Sequence, residues 1–396
     1  MKKFVVGSVL AITLACAPFS ASANSVAAPT KNATWLEILN YYRLSSGLTP
    51  VSEDLEMSNA AQNHANYLAK TNMKYLVKEF ANLHTENPAS PYYNVTASAL
   101  GAGDIAWTSV FSQRPIDQLM SAPFHAIGLL HETFTKVGFG TAPVEVGGYF
   151  PGHQVTTLAT VAGTSNALRT KSIFFPGANS TISINDFHTE SPDPRESCGP
   201  NFRKYTGLPI FASILDAPSL RTSAFLTMPT GEILSNSRDL CVITEHNLKS
   251  TDPIYGAAAR SIMSDEHMIL VIPREPLKIG KYGVVIKQKN LADLSWKFTY
   301  ADTFEKVENK VTIVYPHTDK LLFVGDIVKI KLMSLDAGAS SHATGTATCL
   351  IKWHGNELWV TGKSTGTCTV NLSGGASADT KSFKKSIALT FIAKKK

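Results

Sequence analysis

The chain has 396 residues, 44% of them apolar and 17% charged, with a mean hydropathy of zero. That length suffices for two or three domains with real cores, and low charge with plentiful aromatics excludes global disorder. Beyond residue 25 no stretch approaches the roughly 20 apolar residues of a spanning helix, and a net charge of +6 over this length does not point to nucleic acid.

Lys2 and Lys3, an apolar run from Phe4 to Ala17, and Ser20-Ala21-Ser22-Ala23 read as a secretory signal peptide over residues 1–23, cleaved after Ala23. Cys16 leaves lipidation open, although Thr13-Leu14-Ala15 is a poor lipobox. The expected location is extracellular or periplasmic. Export leaves four cysteines, Cys198, Cys241, Cys349 and Cys368, in an oxidising compartment. Three pairings are open; the local one, Cys198–Cys241 with Cys349–Cys368, is favoured, and no pair has zinc-site spacing.

Residues 32–140 carry mostly helical signals. Asn32 is expected to cap a helix running to Ser46, with Trp35, Ile38, Leu39 and Tyr42 on one face and Gly47 at its end. Ser52 is expected to open a second helix, with Met57, Ala60, Ala61, His64, Ala65 and Leu68 at helical spacing. His64, on that apolar stripe, is expected to be a packed core histidine. Pro115 starts a third helix, which Pro123 interrupts. Between Asn82 and Ser112 lies a long irregular stretch, a feature that is usually functional.

After Phe134 the pattern turns to strands, with a boundary signal at Ser191-Pro192-Asp193-Pro194 and short alternating strands from residue 200 onward. Met268–Ile272, Tyr282–Ile286 and Ile387–Phe391 are examples, and the spacing predicts two β-sandwiches with a break near residues 303–309. The expected domains are 24–199, 200–304 and 305–396, an α+β organisation.

Chemistry concentrates in the first third. His84 and Glu86 open the long loop, Asp104 lies near its far end, and Asp117 and His125 flank the Pro123 break. Two imidazoles with two or three carboxylates suit zinc or another divalent cation, or acid–base work on a polarised water. Tyr92, Tyr93 and Trp107 bracket the loop as candidate groove residues.

Leu39-Asn40-Tyr41-Tyr42-Arg43, Ala60-Ala61-Gln62-x-His64-Ala65, His84-Thr85, Gly103-Asp104-Ile105-Ala106, Pro123-Phe124-His125 and Val137-Gly138-Phe139-Gly140 occur in the order of the CAP superfamily motifs. Over roughly residues 34–163 the chain resembles that family, in its bacterial secreted type, and Thr365–Val370 resembles the end of a bacterial Ig-like repeat. The resemblance implies an N-terminal α-β-α sandwich with a central cleft, followed by two Ig-like β-sandwiches. It implies two histidines and two acidic residues in the cleft, able to bind zinc or a similar cation. His84 and His125 match, and Asp117 occupies one acidic position. Asp104 aligns with the other only across a one-residue gap, and Glu86 is the compensating candidate.

Three readings follow. The leading one is a secreted, non-enzymatic protein whose cleft binds a divalent cation, a lipid, a glycan or a peptide, with the sandwiches meeting a surface or partner such as a host. The second is a metal-assisted extracellular hydrolase using the same cleft. The third is an adhesin with an inert CAP scaffold.

Overall fold

The computed structural model describes residues 26, 28–30, 33–101, 103–109, 114–145, 150, 153–202, 205–235, 237–302, 312–314, 321–333, 341–354, 357–374 and 383–393. The expected signal peptide, with Ala23 and Cys16, and the expected Asn32 cap lie outside them. Strands and helices are numbered along the chain.

Helix α1 (Trp35–Ser45) starts on a reciprocal cap: Thr34 N–H donates to Glu37 at 2.6 Å, and Glu37 N–H donates back to Thr34 Oγ1 at 3.3 Å. Gly47, at φ +74°, turns the chain out of the helix. Helix α2 (Leu55–Lys70) is capped by Asp54 and not opened by Ser52. Ser52 and Glu53 are drawn instead into strand β1 (Ser52–Glu53), parallel to β3 (Lys136–Pro143). Helices α3 (Pro115–Ser121) and α4 (Pro123–Leu129) are separated at Ala122, where Pro123 begins a new helix.

The first sheet runs β1-β3-β4-β2, with β2 at Asp104–Ser109 and β4 at His153–Ala159. Its two faces separate by strand parity. Ile105, Trp107, Ala142 and Val155 pack with Ala65, Tyr67 and Leu68 of α2. Ala106 and Leu158 join the core of α1, α3 and α4, and Trp35 stacks on Phe139 at 4.8 Å. The result is helix–sheet–helix layering. Gly138 and Gly140 permit it: a Cβ there would meet the backbone of Met57 and Gln62 at 2.1 and 2.2 Å.

The second unit has a four-stranded sheet, β10 (Leu240–Ile243), β11 (Met268–Pro273), β7 (Ile210–Ser213) and β5 (Ile173–Phe175), in that order. A five-stranded sheet orders β6 (Thr181–Ile182), β13 (Leu294–Tyr300), β12 (Gly280–Gln288), β8 (Thr222–Thr227) and β9 (Ile233–Leu234). Helix α5 (Gly256–Asp265) leads into β11. Both sheets draw a strand from residues 173–182, so their strands come from either side of residue 199. One continuous apolar core joins α1, α3 and α4 to these sheets, with Tyr42, Phe175 and Phe211 in edge and tilted contact at 6.1 and 5.3 Å.

The third unit pairs two four-stranded sheets around its own core, which holds Ile330, Leu358, Val370 and Phe391. One sheet orders β14 (Thr312–Val314), β16 (Ile327–Met333), β19 (Glu357–Gly362) and β18 (Cys349–His354). The other orders β15 (Leu322–Phe323), β21 (Phe383–Ile392), β20 (Gly366–Gly374) and β17 (Ser341–Gly345). The expected α+β class holds, as does the favoured cysteine pairing: Cys198–Cys241 and Cys349–Cys368 are bridged, with Cα atoms 5.6 and 5.7 Å apart.

Candidate functional site

A cavity of about 540 Å³ lies along β2, the edge strand of the first sheet. Trp107 of β2, His84 of the long loop, and Gln118 and His125 of α3 and α4 line it. Glu190 and the Asp252–Tyr255 segment close it. The second unit therefore supplies a wall of a cavity that the first unit begins. Tyr255 ties the two: its hydroxyl accepts the Leu83 N–H at 2.8 Å, and its ring meets His84 edge-on at 5.8 Å. The approach to Tyr255 is held from the other side. Lys249 N–H donates to Ser197 Oγ at 2.8 Å, and Thr251 Oγ1 to Glu196 at 3.0 Å, beside the Cys198–Cys241 bridge.

His125 is positioned by a residue that the sequence did not flag. Its Nδ1–H donates to Glu190 Oε1 at 2.8 Å, and the same oxygen accepts the Phe124 and His125 amides at 2.9 and 3.1 Å. Helix α4 has no side-chain cap of its own, because Ala122 stands where a capping residue would. Glu190 supplies that function from 65 residues away, and a carboxylate suits the positive helix terminus. Burial opposes charge on His125. The Glu190 carboxylate, by hydrogen bond and charge, and Asp104 outweigh it and raise the ring's pKa above the ordinary value. Glu190 itself is pushed up by burial, against the pull of His125. The one sequence clue to Glu190 is negative: a helix opening Ala-Pro, in need of a foreign acceptor.

His84 differs. Burial first, then the neighbouring His125 and His64, lower its pKa to about 4, although a Gly103 backbone hydrogen bond works the other way. At neutral pH it presents a neutral imidazole to the cavity.

The five expected metal-site residues are divided. Only His84 and His125 line the cavity. Glu86 is buried against His64, with Oε1 2.8 Å from Nδ1, and its Oε2 accepts the Asn94 amide at 2.8 Å. His64 is fully buried, and its Nε2 meets the Leu83 carbonyl at 3.0 Å, so it is a core histidine with both nitrogens engaged. Asp117 accepts from Tyr42 Oη at 2.7 Å and pairs with Arg114 at 2.5 Å. Asp104 accepts from Thr160 Oγ1 at 2.9 Å. Burial raises the pKa of both aspartates, against Arg114 at Asp117 and His125 at Asp104. Among the described residues no three His, Cys, Asp or Glu side chains are arranged to hold an ion. In this arrangement the five residues do not fit a shared cation. Of the groove candidates, Trp107 lines the cavity, in edge contact with Phe150 at 5.2 Å. Tyr92 and Tyr93 do not; Tyr92 is exposed, with the Lys70 ammonium 6.0 Å from its ring.

Residues 36–159 match the model of the CAP, or cysteine-rich secretory protein, family. The chain therefore carries a CAP domain, and the helix–sheet–helix layers described above are that domain. Solved structures with detectable similarity include the tandem Ig repeats of Dlar, at 12% identity over 47% of this chain and 89% of that one, with a TM-score of 0.19. Murine CEACAM1b shows 14% identity over 46% and 92%, with a TM-score of 0.19. The fibronectin(III)-like modules of Clostridium thermocellum CbhA show 8% identity over 56% and 93%, with a TM-score of 0.20. A search of curated proteins found no match. Among the described residues no helix is long and apolar enough to cross a membrane.

Proposed function

We propose that this is a secreted ligand-binding protein whose CAP cavity, closed by the second unit, takes up a small organic molecule or the end of a lipid, glycan or peptide. The observation that carries the reading is the cavity of about 540 Å³, which falls in the size range of small-molecule sites. Its walls combine Leu83, Ile105, Trp107, Leu119 and Ile254 with the polar edge of His84 and His125. Apolar walls supply affinity, and a few placed imidazoles supply orientation. With Glu86 and Asp117 engaged elsewhere, an organic ligand suits the cavity better than a cation.

Nile red, a neutral apolar fluorophore, tests this. It should bind the intact protein saturably, and Ile254→Trp, which fills the cavity from an exposed position, should weaken binding about tenfold or more. Absent saturation, or binding indifferent to Ile254→Trp, would remove the reading.

The His125–Glu190 pair favours a second reading, hydrolysis. A carboxylate on Nδ1 orients the ring and leaves Nε2 able to take a proton from water attacking an ester. Turnover of p-nitrophenyl esters that disappears in His125→Ala would support it; equal rates in both proteins would dismiss it.

A further inference from the structure

The net charge of +6 is not spread along the chain. Residues 1–304 hold 24 basic and 24 acidic residues, whereas residues 305–396 hold 13 lysines, no arginine and 7 acidic residues. The whole excess therefore lies in residues 305–396, and three of their lysines are the terminal Lys394, Lys395 and Lys396.

Strand register shows what one face of the third unit presents. In the sheet β14-β16-β19-β18, Val328, Ile330, Leu358 and Val360 point into the core. Alternate residues point outward and align across three strands. Lys329, Trp359 and Lys352 form one row, with the Lys329 ammonium 4.5 Å from the Trp359 ring centroid. Lys329 and Lys352, two strands apart, stand roughly 10 Å from each other along the row. Ile327, Thr361 and Leu350 form the next row on the same face, with Ile327 and Leu350 exposed by 51% and 55%. Lys363 is exposed just beyond β19, and Lys384 and Lys385 are exposed on β21 of the other sheet.

We propose that this outward sheet face docks the protein on anionic lipid bilayers. Lysines beside an indole and two aliphatic side chains are the composition that a charged bilayer interface rewards. Ammonium groups meet anionic headgroups, while the Ile327–Leu350 row enters the headgroup boundary. A soluble polyanion would use the lysines but gain nothing from the exposed aliphatics, and this decides for the lipid. The proposal is independent of the cavity reading, since its residues lie in a separate core unit.

Flotation of the intact protein with phosphatidylglycerol–phosphatidylcholine vesicles, against pure phosphatidylcholine, tests it. Binding should require phosphatidylglycerol and weaken with rising salt. Lys329→Gln/Lys352→Gln should lose roughly 30-fold, the effect of removing two lysine–headgroup attractions. All four positions are outward-facing, and circular dichroism checks that the variants keep the fold. Ile327→Ser/Leu350→Ser should weaken vesicle binding and leave binding to dextran sulfate unchanged. No binding to anionic vesicles at low salt, or binding equal in both double variants and the parent, would overturn the proposal. Tight dextran sulfate binding with vesicle binding indifferent to the aliphatic pair would assign the face to a soluble polyanion instead.

Discussion

Glu190 and His84 show how burial decides what a titratable residue does. Replacing Glu190 with Gln leaves burial of His125 unopposed by the carboxylate, so the ring's pKa should drop from above its ordinary value towards or below it, as NMR titration of the imidazole would record. The same change weakens the foreign cap of α4 and should cost about 1–2 kcal/mol. His84 predicts an acid slope. Its folded pKa of about 4 lies below the free value of 6.5, so between these the unfolded chain binds a proton that the folded chain refuses. The stability present above pH 6.5 should decline as pH falls towards 4, and denaturant titrations of His84→Phe should show that slope reduced. Arg43 is fully buried and donates to the carbonyls of Thr49, Leu129, His131 and Phe134. Arg43→Ala removes the side-chain donor from those four oxygens, of which the His131 carbonyl keeps the Phe134 N–H, and should cost about 3 kcal/mol or more by denaturant unfolding.

At the scale of elements, the Asp252–Tyr255 segment matters more than its sequence suggests. It lies between β10 and α5 of the second unit, yet it closes a cavity in the first. The Cys198–Cys241 bridge anchors both the segment bonded to it and β10. Replacing both cysteines with serine opens a closure of 43 residues and should cost about 3–4 kcal/mol. If the bridge holds the wall in place, Nile red binding should weaken in the same variant under conditions where it stays folded. The helices were legible in outline. The apolar stripes placed α1 and α2, and Pro115 and Pro123 placed α3 and α4. The opening of α2 was not, because Ser52 and Glu53 satisfy their backbone by pairing with a strand more than 80 residues away, which no local pattern encodes.

Across the whole molecule, the apolar cores divide the chain differently from its compositional breaks. One core runs from Ile38 to Tyr300, while the third unit has its own. Calorimetry should therefore resolve two unfolding transitions, one for the joined CAP and second units and one for the third. A fragment ending at residue 199 strips Phe211 from Phe175 and Ser213 from Ile173, and should be far less stable than the joined pair.

The sequence by itself determined the order of the CAP motifs and the short strands of the later units, favoured one of three cysteine pairings, and offered His84 and His125 as cleft candidates. These rest on local signals: side-chain periodicity, proline at helix starts, and the nearness of cysteines along the chain. Tertiary structure alone decided which carboxylate serves which partner. Glu86 turned to His64, Asp117 to Tyr42 and Arg114, and Glu190 came from beyond the motif to hold His125. A buried carboxyl goes to whatever donor the packed core leaves beside it, and that neighbour is set by long-range packing, not by spacing along the chain.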